Sequence, residues 1–251
     1  MSNIKIGITE RGDAGRDLRW THTIHAVEGA ILITKSITLE FIDAVLACQK
    51  PIILHCTCTG FGGSALEPGV PDPIIQLSNL RHLIRKGFPA ERVVLRIDPI
   101  FPSDKGIAKA KMVIDQMLSM QLGIRRIRIS IVDEYPHVRE RYAQRGWHNL
   151  YGGNFAPSRE QIQRVAQLIA SYKDYDLQFE TCAEPALASM AGIKATGCIS
   201  NADLQLMHLP PVQNASINPQ NRNGCLCLSC KTELLTRQKC PNGCVYCFWK
   251  G

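Results

Sequence analysis

The sequence predicts an α/β protein: a full or partial (β/α) TIM-like barrel with a cysteine-rich tail. Three observations predict it. Short β-branched runs alternate with helical patterns over the first two hundred residues, which implies βαβ units on a parallel sheet. Most of those runs are apolar nearly throughout, as strands covered on both faces are. Six of the 11 cysteines fall between Cys225 and Cys247.

The strand candidates, in order, are Ile4–Ile8, Ala30–Thr34, Pro51–Cys56, Arg92–Ile97, Arg126–Ile131 and Leu177–Thr181, with a weaker seventh near Lys194–Ile199. Helical patterns fill the gaps. Asp72-Pro73 supplies a cap and a first-turn proline, and Ile74, Leu77, Leu80 and Ile84 follow at helical spacing. Lys105–Gln121 carries Ile107, Ile114, Met117 and Leu118 in the same way. Ser158-Arg159-Glu160-Gln161 reads as a capping box ahead of Ile162, Val165, Leu168 and Ile169. A doubly wound sheet is the main competing architecture, because alternation does not decide closure. The pattern changes near residue 203, with loop signals at Leu209–Asn214 and turn residues over Asn218–Gly224. The expected division is therefore 1–203 as the barrel and 204–251 as a metal-organised tail docking on its mouth.

Composition excludes disorder and low complexity for the whole chain, with 45% hydrophobic and 20% charged residues. The 29 Lys and Arg against 22 acids give +7, which favours an anionic partner only weakly, since excess charge also serves solubility. No apolar run approaches the ~20 residues that span a bilayer, and the start has no secretory pattern. The expectation is a cytoplasmic protein that meets no membrane, in a compartment where disulfides are rare and crowded cysteines mean metal or redox chemistry.

In parallel α/β folds, functional groups lie at the carboxyl ends of strands. There the sequence places His55-Cys56-Thr57-Cys58, Arg96-Ile97-Asp98-Pro99, Ser130-Ile131-Val132-Asp133 and Glu180-Thr181-Cys182-Ala183-Glu184. Strand alternation points Arg96 and Asp98 to one side. A buried arginine needs an anionic partner, so an Arg96–Asp98 or Arg96–Glu180 pair that only holds the barrel together competes with a ligand-binding role. His55 reads first as a hydrogen-bonded core residue, and Cys48 as a small buried hydrophobe.

The tail reads Cys225-Leu226-Cys227-Leu228-Ser229-Cys230, then Cys240-Pro241-Asn242-Gly243-Cys244-Val245-Tyr246-Cys247. Zinc and iron–sulfur clusters both use thiolates, and spacing alone does not separate them. Cys240, Cys244 and Cys247 supply three thiolates from one loop, which would leave one iron of a cubane open. Tyr246 and Phe248 would shield it from water. This loop resembles that of radical S-adenosylmethionine enzymes. That resemblance implies a [4Fe-4S] cluster whose open iron binds S-adenosylmethionine, reductive cleavage of that cofactor to a 5′-deoxyadenosyl radical, and an electron donor such as a flavodoxin or ferredoxin. Several further segments are similar to an uncharacterised bacterial and phage family that carries this loop at its C-terminus: Glu67–Pro71, Leu95–Ile100, Ile129–Tyr135, Thr181–Glu184 and both tail clusters. The chain departs from the superfamily in ending on the cysteine loop and in lacking a Gly-Gly-Glu segment after its second strand. Tyr151-Gly152-Gly153-Asn154 reads as a turn instead.

Under this resemblance Arg96, Asp98, Ser130 and Glu180 are the catalytic candidates. Arg96, Asp98 and Glu184 are the cofactor-binding candidates, and Cys56, Cys58 or Tyr135 the hydrogen-atom donors. Cys182, Cys198, Cys225 and Cys227 form a second expected set, for an auxiliary iron–sulfur cluster or a zinc. Cys225, Cys227 and Cys230 with one other residue are the rival grouping. The substrate is left open. Nucleic acid is one class, motivated by Arg125-Arg126-Ile127-Arg128, Arg139, Arg141, Arg145 and Trp147-His148. Two other functions compete: a zinc-organised binding module without catalysis, and an electron-transfer protein.

Overall fold

The computed structural model describes residues 4–212, 225–236 and 240–249. Among the described residues, eight strands form one sheet: β1 (Ile6–Ile8), β2 (Gly29–Thr34), β3 (Ile52–Thr57), β4 (Val93–Ile100), β5 (Arg126–Ile131), β6 (Gln178–Thr181), β7 (Lys194–Ala195) and β8 (Lys231–Glu233). The order is β7-β6-β5-β4-β3-β2-β1-β8, with every pairing parallel. The helices are α1 (Trp20–Thr23), α2 (Leu39–Ala47), α3 (Pro73–Arg85), α4 (Asp104–Ser119), α5 (Pro136–Ala143), α6 (Arg159–Ala170), α7 (Pro185–Ala191) and α8 (Asn201–Leu206). The sheet is compatible with a partial or full α/β barrel. Although β7 and β8 are its edges, the segments beside them meet, since Leu228 N donates to Ile199 O at 3.2 Å.

The two faces of the sheet differ as period-2 alternation requires. One packs under helices: Leu32, Leu54, Leu95, Ile127 and Ile129 meet residues of α2, α3, α4 and α6. The other carries Ile6, Ile8, Ile31, Ile53 and Val94 against Leu204 and Met207, then turns polar toward the strand ends. Among the described residues, no helix is long and apolar enough to cross a membrane.

The caps form as their chemistry dictates. Asp72 accepts from Ile74 N, and Ser158 and Gln161 close a capping box. The buried face of α3 is rotated from the expected one: Leu77, Leu80 and Leu83 are buried with Gln76, while Ile74 is 53% exposed. Gln76 is buried because its side chain is used, its oxygen accepting from Ile37 N at 2.9 Å. β4 runs three residues further than expected, and β7 is only two residues long. β8 is too short and polar to show as a hydrophobic run; its parallel register with β1 defines it.

Candidate metal centre and polar strand ends

The polar face begins with His55 on β3, Arg96 and Asp98 on β4, Arg126, Arg128 and Ser130 on β5, and Glu180 on β6. Register places Arg96 beside Arg128, and Arg128 beside Glu180. Arg128 Nη2 donates to Glu180 Oε2 at 2.7 Å, and Arg126 donates to the same carboxylate at 3.3 Å and to Asp203 at 2.8 Å. Arg96 pairs with Asp98, so the structural pairing is Arg96–Asp98, and Glu180 serves the other two arginines. Burial would raise the Glu180 pKa, but Arg128 and Arg126 outweigh it and hold the carboxyl below its usual range. Burial first, then the charges of Arg128 and Arg96, push His55 well below its ordinary pKa, so its imidazole is neutral. Ser130 Oγ and Ile131 N both donate to Glu184 Oε1 at 3.1 Å, which fixes Glu184 at the end of β5. His55 Nδ1, Arg96 Nε and Arg128 Nε are buried without a hydrogen-bond partner among the described residues. Buried polar atoms without a protein partner are those that a water, an ion or a ligand would satisfy.

The tail loop packs on the segments that follow β1, β2 and β3. Asn242 Nδ2 donates to the buried Asp13 at 2.5 Å, and Ser36 Oγ donates to Asn242 Oδ1 at 3.2 Å. Gly69 N donates to Asn242 O at 3.0 Å, and Val245 N to Leu66 O at 3.0 Å. A Cβ at Gly69 would lie 2.3 Å from Pro241 O, so only glycine permits this approach. Arg141 on α5 donates to the carbonyls of Val245, Cys247 and Trp249. Lys35, one residue past β2, donates to Glu67 at 2.9 Å, to Tyr246 Oη at 2.8 Å and to Asp98 O at 3.4 Å. Tyr246 and Thr59 donate to Glu67. Burial opposes the charge on Lys35, but Glu67 and then Cys244 outweigh it and raise the ammonium pKa.

Cys240, Cys244 and Cys247 are free thiols, and Cys244 feels the charge of both others. Burial pushes the Cys244 thiol up to about 12, with Lys35 pulling it back. Such a thiol is inert as a free acid; a metal is the usual agent that holds a buried thiolate. Three soft donors on one loop beside the Lys35 cation are the donor chemistry of a thiolate-held iron–sulfur cluster.

Other expected residues fall differently. Tyr246 is buried with its hydroxyl engaged, but Phe248 is 53% exposed and stacks on Trp249, so it gives little shielding. Cys56 and Cys58 are buried in the helix-facing core, where Cys58 feels the charges of Glu67 and Lys35. Tyr135 packs edge-on against Phe155. Residues 151–153 form a turn, as expected. The basic–aromatic stretch is not a phosphate-binding surface as a whole: Arg126 and Arg128 are buried inside, and Arg141 is occupied by tail carbonyls. Asp13, Lys35, Glu67 and Asn242 were not singled out from sequence as site residues. Lys35 was findable because it follows a strand, and Glu67 lies in a family-like segment.

The four other expected cysteines come together. Cys182 follows β6 and Cys198 follows β7, while Cys225 and Cys227 precede β8. Cys182 Sγ is 3.8 Å from Cys198 Sγ, and the Cys182 thiol interacts electrostatically with Cys225 and Cys227.

A family model described as a domain of unknown function (DUF1848) matches residues 16–249, and the chain belongs to that family. No curated protein matches it.

Proposed function

We propose that the chain is an iron–sulfur enzyme of the radical S-adenosylmethionine type. Cys240, Cys244 and Cys247 would hold a [4Fe-4S] cluster, and Arg96, Asp98, Ser130, Glu180 and Glu184 would order the cofactor and substrate. The observation that supports this reading is the link through Lys35, which donates both to Tyr246 of the three-thiol loop and to the Asp98 carbonyl of the polar face, where His55, Arg96 and Arg128 keep polar atoms without a partner among the described residues.

When bound, such a cluster supplies one electron to cleave the sulfonium cofactor, and the protein supplies binding, orientation and exclusion of water. Lys35, held by Glu67, sets a fixed positive charge near Cys244 and offsets thiolate charge. Arg96 and Asp98 offer paired charges to the amino and carboxylate groups of the cofactor. Glu184 is held in place by Ser130 and Ile131 N and presents a second carboxylate. Glu180 is a positioning residue, because its contacts are with Arg126 and Arg128. The electron donor would be a small redox protein such as a flavodoxin or ferredoxin.

The test is anaerobic purification with iron, sulfide and zinc counts, electron paramagnetic resonance of the reduced protein, and an assay for 5′-deoxyadenosine. The expected result is a brown protein with about four iron and four sulfide at this loop, releasing 5′-deoxyadenosine on reduction. A colourless protein that takes up no iron and sulfide on reconstitution, with zinc bound by the tail instead, would overturn the proposal in favour of a binding module.

A further inference from the structure

We infer that Cys182, Cys198, Cys225 and Cys227 bind one zinc ion in a closed tetrahedral site that joins the two edges of the sheet. This site is separate from the three-thiol loop and does not depend on how that loop is occupied.

The ligand set is drawn together by the fold. Cys182 Sγ lies 3.8 Å from Cys198 Sγ, the Sγ atoms of Cys198 and Cys227 lie within 4.8 Å of each other, and Cys225 is two residues from Cys227 and interacts electrostatically with Cys182. Cys230, the remaining cysteine of that segment, is influenced by burial and its own backbone and not by these thiols. Four thiols close a tetrahedral site, which is the coordination of structural zinc.

One edge of the set has the length a single ion requires. Zn–S bonds of ~2.3 Å at tetrahedral angles give S···S edges of ~3.8 Å. The Cys182–Cys198 separation is 3.8 Å. A cubane puts its four thiolates on four different irons, with sulfides between, and holds them further apart than a single ion does.

The surroundings suit a zinc tetrathiolate, whose net charge is negative. Arg96 acts on Cys198 and Cys182, Arg128 acts on Cys198, and Lys231 acts on Cys227 and Cys225. Cys198 N donates to Cys227 Sγ at 3.1 Å, an amide-to-sulfur bond that also orients the ligand. A Cβ on Gly197 would lie 2.6 Å from Cys227 Cα, so glycine is required for the two segments to approach. Glu10 has a carboxylate oxygen within 4.8 Å of both Cys198 and Cys227 and is tied back by Lys231 at 3.0 Å. It belongs to the outer shell of the site once four sulfurs fill the tetrahedron.

The placement gives the zinc its role. Cys182 and Cys198 hang from the β6–β7 edge and Cys225 and Cys227 from the approach to β8, the opposite edge. No β7–β8 pairing is present among the described residues. A metal with ligands on both sides takes the place of the missing strand ladder, and metal binding energy becomes folding energy.

The experiment uses the full chain, purified anaerobically, and its Cys240→Ser/Cys244→Ser/Cys247→Ser variant. Both are expected to hold one zinc per chain. X-ray absorption at the zinc edge should read four sulfurs at ~2.3 Å. Cobalt in its place should give the intense visible bands of a tetrahedral tetrathiolate. Cys198→Ser should lose the zinc, whereas Cys230→Ser should keep it. Chelation should speed amide exchange at β7 and β8 at least tenfold. If Cys198→Ser does not fold, absorption spectroscopy of the parent chain still decides the coordination. Zinc with fewer than three sulfurs, a Cys182–Cys198 disulfide, or iron and sulfide retained by the triple variant would each overturn the inference. Loss of iron at the three-thiol loop with zinc retained would count against the proposed activity alone.

Discussion

Lys35 and Glu67 offer a quantitative test of how the tail loop is held. Glu67 is 1% exposed and Lys35 18%, so the pair is largely out of water. Removing one member of such a pair costs ~3–5 kcal/mol, because the other charge stays buried. Glu67 would keep Thr59 and Tyr246 as donors, which puts Lys35→Met at about 3 kcal/mol, the low end of that range. For a chain of this size that corresponds to a fall in Tm of roughly 6–12 °C. Glu67→Leu alone strands the ammonium and costs a similar amount. In the double variant both charges are gone and only two hydroxyls lose a partner, at ~1 kcal/mol each. The double variant should therefore be more stable than either single change implies, with a coupling energy of at least ~2 kcal/mol. Urea unfolding of the three variants under reducing, oxygen-free conditions measures it. Additivity to within ~0.5 kcal/mol would show that the two charges do not sense each other, and the account of the loop anchored through Tyr246 would fail.

Three further outcomes follow from the geometry. Gly69→Ala must push the tail by about 0.7 Å to bring the 2.3 Å approach to Pro241 O out to 3.0 Å; thiol labelling of Cys240, Cys244 and Cys247 in the metal-free chain should speed up at least tenfold, and unchanged labelling refutes the contact. Arg141→Met removes a charged donor from three carbonyls of the tail, for a local loss on the order of 2 kcal/mol; limited proteolysis of the tail should accelerate about thirtyfold with little change in global Tm. Glu233 has its pKa raised to about 7, first by burial and then by Glu10 against several backbone donors. A carboxyl raised on folding stabilises fully below its ordinary value of 4.5 and loses that contribution as pH rises through 7. Glu233→Gln should flatten the stability curve between those limits, and an unaltered curve would show that the group does not titrate there.

The strands of the first two hundred residues were legible because they are continuous β-branched runs buried on both faces. β8 was not, since Lys231-Thr232-Glu233 has no hydrophobic period and is fixed by pairing with β1. The four-cysteine set was legible as a grouping of residue types, and the proximity of its members follows from sheet order, which brings Cys198 and Cys227, 29 positions apart, to one seam. Alternation correctly put Arg96 and Asp98 on one face but did not say which acid each arginine meets. Glu180 joins Arg126 and Arg128 because β6 pairs with β5 and not with β4. The basic stretch misled for the same reason: a charge run in a strand is read as a surface until burial shows that two of its arginines point inward. Asp13 and Asn242 are 229 positions apart, and no local pattern predicts that contact.

The buried charges bear on whether the polar face exists for stability or for chemistry. Arg96, Arg126 and Arg128 face Asp98, Glu180 and Asp203, three cations against three anions. Buried pairs of this kind are often matched or exceeded in stability by apolar residues of similar size. A wall whose only task was to close a core would be expected to use the isoleucine and valine found elsewhere on the same face of the sheet. The paired change Arg128→Met with Glu180→Leu separates the two roles. Arg126 keeps Asp203 as its partner at 2.8 Å, so no unpaired charge is created. If the face serves chemistry, urea unfolding should show stability within ~1 kcal/mol of the parent or above it, while 5′-deoxyadenosine release falls at least tenfold. A collapse of stability by several kcal/mol with turnover per folded molecule unchanged would assign these residues to the scaffold. Arg96, Asp98 and Glu184 would then be left as the groups through which the face acts on a ligand.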